Sequence, residues 1–413
     1  MMRKPFSAIA FVLILTLLLA ACGGAPEVNP PDQGPDAPPV ADTPAPIDTP
    51  ESDLPVPTEP PAAADTPTEP AAEAPTPVAQ VETPQEQIPV TAQGFGTTLS
   101  EVQERGNLVC GINGQLPGFS FLDPSGNYSG FDVDFCRALA AAIFGDPDAV
   151  EYRTTNTQER FTVLQTGEVD VLIRNTTWSL VRDTELGLNF TSTTFYDGQG
   201  IMVPADSGLT TLQDLEGGTI CVQRGTTTEL NLTDVMATEG VNYTPAVFED
   251  VNATYGAYAE GRCDAVTSDR SQLSSVARGV LPDPENHVIM DITISKEPLG
   301  PAVRHGDDQW FDIVNWTIFA TIAGEEYGIT SENAAEIRDT SENPEVRRLL
   351  GVEGELGQLL GLSNDFAFNV ISMVGNYEEI YNRNLGEGTP TFIPRGLNSL
   401  YTDGGLLYSP PFR

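Results

Sequence analysis

Three polar stretches hold residue types suited to gripping a small charged molecule. In Asn175-Thr176-Thr177-Trp178-Ser179-Leu180-Val181-Arg182 the arginine offers a planar fork that meets a carboxylate with two parallel charge-assisted bonds, worth about 1.5–3 kcal/mol each. Taken alone, Arg182 could equally pair with neighbouring Asp183 on the surface. The loop Gln223-Arg224-Gly225-Thr226-Thr227-Thr228-Glu229 opens a helix, because Thr226 or Thr227 can cap it and Glu229 can answer from the first turn. Unpaired backbone N–H groups at a helix start suit an anion such as a carboxylate, although a Thr-rich helix start by itself needs no ligand. The third stretch, Thr267-Ser268-Asp269-Arg270, follows an apolar run, and polar residues just past a parallel strand point into a crevice. A helix cap is the plainer role for Asp269.

Bond-making chemistry is not indicated. Glu159 and Asp197 are the acids expected near such a crevice, and neither has an evident acid/base partner. No nucleophile triad or metal-ligand spacing is present, and His287 and His305 are the two histidines of the chain. No cofactor and no metal are expected.

These stretches need elements to position them. Leu108-Val109-Cys110-Gly111-Ile112 reads as a short buried strand, and residues 131–144 carry Ala, Leu and Ile at helical spacing behind the turn-rich Asp123-Pro124-Ser125-Gly126-Asn127. Residues 160–165 look helical, and Val169-Asp170-Val171-Leu172-Ile173 looks like a parallel strand buried on both faces. A short helical turn at 210–218 feeds the strand Thr219-Ile220-Cys221-Val222, and Gly261-Arg262-Cys263-Asp264-Ala265-Val266 reads as a further strand. After residues 292–303 the spacing of Trp310, Phe311, Val314, Ile318 and Phe319 predicts a helix whose aromatic residues are core. The alternation is that of an α/β protein, and residues 97–413 suit two lobes of roughly 150 residues each.

The amino-terminal part sets the compartment. Arg3 and Lys4 precede an apolar run over residues 6–19, a secretion signal too short and wrongly flanked to span a bilayer. Its end, Leu19-Ala20-Ala21-Cys22 before Gly23-Gly24, resembles a bacterial lipobox, in which the cysteine thiol takes the lipid. Residues 1–22 are thus expected to be a lipoprotein signal peptide, with Cys22 anchoring the exported chain to the outer face of the cytoplasmic membrane. Residues 23–96 are dominated by Pro, Ala, Thr, Glu and Asp, with no Lys or Arg, and cannot bury enough surface to fold. Extended at roughly 3 Å per residue, they form a tether reaching on the order of 200 Å at most. The net charge of -39 makes nucleic acid an improbable partner.

Four cysteines remain: Cys110, Cys136, Cys221 and Cys263. In an exported chain an even count suggests disulfides, and three pairings are possible. The element order puts Cys110 and Cys136 in one lobe and Cys221 and Cys263 in the other, which favours bridges within lobes over four buried thiols.

Taken in order, the motifs carry a family likeness. Residues 97–269 resemble the polar amino-acid branch of the periplasmic solute-binding proteins, and the remainder to 413 resembles its broad-specificity general L-amino-acid subgroup. Five stretches carry the match: Gly130-Phe131-Asp132-Val133-Asp134-Phe135-Cys136-Arg137-Ala138, and residues 169–183, 195–203, 261–269 and 366–413. The last holds Val374-Gly375-Asn376-Tyr377, then Asn382-Arg383-Asn384 and Arg395-Gly396-Leu397-Asn398.

The resemblance implies a type II periplasmic-binding-protein fold, in which two α/β lobes joined by two crossover strands close over a ligand. The crossovers are expected near Ile201-Met202-Val203 and Pro301-Ala302-Val303. Lobe one is then 97–203, lobe two 204–300, and 301–413 returns to lobe one with a carboxy-terminal extension. By the same resemblance Arg182 grips the ligand's α-carboxylate, and Thr177 and Asn175 take the α-ammonium or a carboxylate oxygen. A glycine often stands where Asn175 does, so its part is its backbone carbonyl. Thr226 and Thr227 meet the same carboxylate from lobe two, and Asp269 binds the α-ammonium. Asn113, Gln115, Leu116 and Phe119 follow the first strand, where relatives often stack an aromatic residue on the ligand. Here the aligned residue is Leu116, which leaves the preferred side chain open, and Thr157 and Arg160 are expected along the same wall. The implied function is capture of a free L-amino acid by a monomer and its delivery to the permease subunits of an ABC importer. A ligand-sensing surface lipoprotein and a cyclohexadienyl-dehydratase-type enzyme on the same fold are the alternatives.

Overall fold

The computed structural model describes residues 96–413. The expected signal peptide, Cys22 and residues 23–95 of the expected tether lie outside the described residues. Among the described residues no helix is long and apolar enough to cross a membrane.

The chain lays down β1 (Leu108–Ile112), then β2 (Gln115–Leu116), β3 (Ser120–Leu122) and β4 (Tyr128–Ser129). After the helix Phe131–Phe144 come β5 (Val150–Thr154), β6 (Val171–Leu172) and β7 (Leu188–Phe190). It crosses on β8 (Phe195–Pro204), builds β9 (Thr219–Gln223), β10 (Thr244–Phe248), β11 (Ala265–Asp269) and β12 (His287–Ile289), and returns on β13 (Ser295–Leu299) to β14 (Ala302–Arg304). Two sheets result, in the orders β5-β1-β6-β14-β7 and β10-β9-β11-β8-β12, with β13 paired to β8. Each has a parallel half, β5-β1-β6 and β10-β9-β11, closed by antiparallel strands. The small sheet β2-β3-β4 lies off the first.

Continuous apolar runs form the central strands because both faces are covered: Leu108, Cys110 and Ile112 of β1, and Ile220, Cys221 and Val222 of β9, are buried. The helix Phe131–Phe144 starts behind Gly130, whose φ of 134° lets the chain turn tightly where a Cβ would meet the Phe119 carbonyl. Cys110 of β1 is bonded to Cys136 of that helix, and Cys221 of β9 to Cys263 just before β11. Each bridge ties two packed elements of one lobe, and sequence separations of 26 and 42 residues correspond to roughly 3–4 kcal/mol of unfolded-state entropy apiece.

Two boundaries differ from the sequence expectation. Ile201, Met202 and Val203 lie inside the second sheet, paired with Thr267, Val266 and Val288, so the first crossing is earlier, where residues 195–198 run beside 296–299. Likewise Ala302 and Val303 already belong to the first sheet, so the second crossing falls on β13. An apolar run does not mark where a strand leaves one sheet and joins the next. The strand expected from Gly261 begins at Ala265, because Gly261, at φ 72°, turns the chain off the helix Val251–Ala259.

The returning chain packs on lobe one. Trp310 of the helix Asp308–Glu326 is 1 % exposed and its indole N–H donates to the Asp170 carbonyl (2.9 Å). The tail motifs act structurally: Asn376 caps the helix Tyr377–Leu385, Arg383 and Asn384 donate to Asp134, and Tyr377 Oη donates to the Thr194 carbonyl. Asn398 accepts from the Tyr196 N–H (2.7 Å) and donates to its carbonyl (3.1 Å), fastening the tail to the first crossing strand.

Candidate functional site

Between the lobes lies a narrow polar cavity, lined from lobe one by Asn113, Thr157, Arg160, Arg174, Asn175, Thr177 and Arg182. Lobe two contributes Gln223, Thr226, Thr227, Thr228, Ser268, Asp269 and Gln272. The strand ends explain the convergence: Asn113 follows β1, Arg174 follows β6, Gln223 ends β9 and Asp269 ends β11.

Asn175 has φ 24°, a conformation that asparagine and glycine tolerate best; its N–H donates to Asp132 (3.0 Å). Its side-chain amide accepts from Asn113 Nδ2 (3.1 Å) and donates to Gln272 Oε1 across the cleft (3.2 Å). Burial pushes the Asp132 carboxyl up to about 6, against the pull of the Asn175 N–H and the Arg174 guanidinium.

Ser179 caps the short helix Leu180–Thr184, which aims Arg182 back over the cleft. Arg182 is 8 % exposed; its Nη1 donates to the Thr177 carbonyl (2.8 Å) and its guanidinium lies 5.3 Å from the Phe161 ring centre. Burial pulls its pKa below the usual arginine value, countered by Glu297 and Asp269. From lobe two, Thr226 caps the helix Thr227–Glu239 by accepting from the Glu229 N–H (3.0 Å), while Glu229 reaches back to the Gly225 N–H (2.8 Å). That helix start, with its unpaired N–H groups, faces the same cavity as Arg182.

Asp269 precedes the helix Arg270–Gly279, yet its carboxylate does not cap it and instead faces the cavity at 6 % exposure. Burial raises its pKa well above the ordinary carboxylate value, Asp197 and Glu297 push the same way, and Arg182 and Arg160 oppose. A cation in the cavity would restore its charge.

Leu116 is not at the cavity: it is fully buried on β2, opposite Ser120, as part of the hydrophobic core. The two-residue strand turns it inward and Gln115 outward, so the aromatic-platform position holds a core residue. Phe119 is likewise core, packed edge-on against Phe131 and Phe195. Asp197 lines a separate cavity behind the crossing strands and accepts from the Gly198 and Ser271 N–H groups, and Glu159 accepts from the Asn156 N–H.

Sequence reasoning missed Glu297, on β13. It is fully buried and accepts from Thr177 Oγ1 (2.5 Å), Thr227 Oγ1 (2.8 Å), Asn231 Nδ2 (2.8 Å) and Ser295 Oγ (2.5 Å). One carboxylate thereby orders threonines of both lobes. The alternation of Ser295, Glu297 and Leu299 against the outward Lys296 was the available signal. Arg174, Gln223, Thr228, Ser268 and Gln272 line the cavity as well without having been assigned a role; Arg174, Gln223 and Ser268 sit at or just past strand ends, where a polar residue signals a crevice, and Thr228 and Gln272 lie in the first turns of the helices Thr227–Glu239 and Arg270–Gly279. The lobes are in contact across the cleft, through Asn175 with Gln272, Thr177 with Thr227 and Thr157 with the Arg224 carbonyl (3.1 Å).

Two α/β lobes on paired crossing strands, with a charged cleft between them, are the architecture of a solute-binding protein that closes on its cargo. The chain belongs to the bacterial extracellular solute-binding proteins, family 3, whose model matches residues 108–333. It is 54% identical over 319 residues to the general L-amino acid-binding periplasmic protein AapJ of Rhizobium johnstonii, covering 77% of this chain and 93% of that one. It is 49% identical to the glutamate/glutamine/aspartate/asparagine-binding protein BztA of Rhodobacter capsulatus, covering 78% and 96%. A solved structure, an ABC transporter periplasmic binding protein from Brucella ovis with glutathione bound, aligns with a TM-score of 0.75 at 50% identity, covering 77% of this chain and all of that one.

Proposed function

We propose that the protein is the extracytoplasmic binding component of an ABC importer, that it captures a free L-amino acid between its lobes, and that it delivers this cargo to the permease. The observation that carries the reading is the pairing of Arg182 from one lobe with Asp269 from the other around one cavity. An amino acid is a zwitterion: its α-carboxylate meets the fork of Arg182 and the start of the helix Thr227–Glu239, and its α-ammonium meets Asp269. Because the charges come from different lobes, both are engaged only when the lobes close, and closure signals a loaded protein to the permease. Thr177 and Thr227, oriented by Glu297, supply hydroxyls along the same path, and Asn113, Asn175, Thr157 and Thr226 complete the polar wall. The relatives are binding proteins rather than enzymes, and this chain is read the same way.

Thermal unfolding of the full chain, stripped of carried-over ligand, against the common L-amino acids, several sugars and dicarboxylates without an amino group tests the reading. An amino acid at a hundredfold excess over its dissociation constant adds about 2.7 kcal/mol of stability, a clear rise in melting temperature. A shift with sugars alone, or with nothing, would remove the reading.

The protein works as a monomer held to the outer face of the cytoplasmic membrane by lipid on Cys22, with residues 23–96 as its tether. The lipobox-like Leu19-Ala20-Ala21-Cys22 and the Pro-rich composition support this. In cell fractionation, Cys22→Ser should move the protein from the membrane to the soluble fraction; retention of the variant in the membrane would argue against the anchor.

A further inference from the structure

We propose that the empty cleft holds a proton on Asp269 and that an amino acid enters in exchange for it, so that capture releases a proton to solvent. The proposal rests on the reading that Asp269 meets the ligand's α-ammonium.

Three carboxylates gather on adjoining strands, with Asp269 and Glu297 buried and Asp197 half-buried. Glu297 stands opposite Asp197 where β13 pairs with β8, and Asp269 stands opposite Gln199 where β11 pairs with β8. Opposite residues share a face of a sheet and side chains alternate along a strand, so Asp197, Gln199, Asp269 and Glu297 project from one face. Their hydrogen bonding differs. Glu297 accepts from four side-chain donors, and Asp197 accepts from the Gly198 and Ser271 N–H groups. Among the described residues no hydrogen bond reaches the Asp269 carboxylate. A buried carboxylate without donors, beside two of its own kind, is the one that takes up a proton.

Gln199 offers that proton an acceptor. It is fully buried, and its Nε2 donates to the Thr228 carbonyl (2.9 Å) and to Thr267 Oγ1 (2.9 Å). The Thr267 hydroxyl donates onward to the Gly200 carbonyl (2.7 Å), which fixes the orientation of the amide. Its Oε1 is left buried with no donor among the described residues. Residues directly opposite on antiparallel strands have Cβ atoms about 4.5–5.5 Å apart, so the O–H of a protonated Asp269 is the neighbouring donor suited to Oε1. The charges around Asp269 are divided between the lobes. Asp197 and Glu297 lie on strands bonded to its own sheet, whereas the opposing cations, Arg182 and Arg160, belong to lobe one and withdraw as the lobes part. Arg174 has Asp132 as its counter-charge, Arg270 donates to the Met290 and Ile292 carbonyls, and burial keeps the Tyr255 phenol neutral. Burial first, then Asp197 and Glu297, holds the Asp269 pKa well above the ordinary carboxylate value even with the lobes together. An incoming α-ammonium supplies the missing positive charge: the Asp269 carboxyl gives its proton to solvent, the resulting carboxylate takes the ammonium, and the ligand keeps all its own protons. Affinity then rises with pH, by up to about tenfold per unit, until the empty site no longer holds the proton.

The test is isothermal titration of the full chain, freed of carried-over ligand by unfolding and refolding, with whichever of L-alanine, L-glutamine and L-glutamate binds tightest, in two buffers of different ionisation enthalpy at about pH 6. The dependence of the heat on the buffer counts protons and should show roughly half to one proton released per amino acid, with affinity at least about threefold higher at pH 7 than at about pH 5.5. Heat that does not depend on the buffer, or proton uptake, would overturn the proposal, a comparison that needs no variant to fold. Asp197→Asn removes a like charge beside Asp269 and should release fewer protons, losing most of the pH dependence while affinity at pH 7 stays within about threefold of wild type. Undiminished release in that variant would place the proton outside this cluster, and equal weakening at both pH values would make Asp197 merely structural; either would overturn the proposal. Binding without proton release would overturn this proposal alone, whereas no binding of any of the three amino acids would also overturn the reading beneath it.

Discussion

Arg182→Ala should abolish amino-acid capture while the protein still unfolds in one cooperative step. Two charge-assisted hydrogen bonds to the ligand carboxylate, at about 1.5–3 kcal/mol each, amount to a loss of roughly two to four decades in affinity. The fold should tolerate the change. Within the protein the Arg182 guanidinium donates to the Thr177 carbonyl, and its burial disfavours its own charge, so removing it relieves a desolvated cation as it forfeits one bond. Isothermal titration gives the first quantity and thermal unfolding without ligand the second. Affinity within threefold of wild type would mean that the carboxylate is held elsewhere in the cavity.

The second large effect concerns Asp269, where Asn keeps the shape and removes the charge. Asp269→Asn should weaken amino-acid binding about a hundredfold or more, because the α-ammonium loses its buried counter-charge. The same change should stabilise the ligand-free protein, with a fixed sign of pH dependence. Burial and the neighbouring carboxylates hold the folded-state pKa of Asp269 above its unfolded value. The folded state then binds the proton more tightly, and wild type loses stability as pH rises from the ordinary carboxylate range toward the raised value. The Asn variant lacks that loss, so its advantage in urea unfolding should be larger at pH 8 than at pH 4. An advantage that shrinks with rising pH would show that Asp269 is stabilised as a carboxylate by partners within the protein.

Much of this site could be read before the fold was known, for a physical reason. Strand ends in parallel sheets project polar residues into the crevice, and short apolar runs such as Leu108–Ile112 announce those strands through composition alone. Helix starts are equally local, and the cap at Thr226 follows from neighbours within a few residues. What escaped depended on distant parts of the chain. Leu116 was expected at the ligand because it aligns with a position where relatives stack an aromatic residue, but pairing of β2 with β3 turns it into the core. Glu297 lies on a crossing strand whose meaning appears only when Thr177 and Thr227, 120 and 70 residues earlier, are brought to it. The crossing itself was placed several residues late, because β8 runs without interruption from the hinge into the second sheet.

The central claim is that one cleft holds both α-groups of an amino acid, the carboxylate on Arg182 and the ammonium on Asp269. The most direct measurement compares the tightest-binding L-amino acid with two analogues that keep its side chain, one lacking the α-carboxylate and one lacking the α-ammonium, by isothermal titration of ligand-free protein. Loss of about a hundredfold or more in affinity for each analogue is the predicted result. Retention of wild-type affinity by either would contradict it, since the missing group would then have had no partner in the cleft.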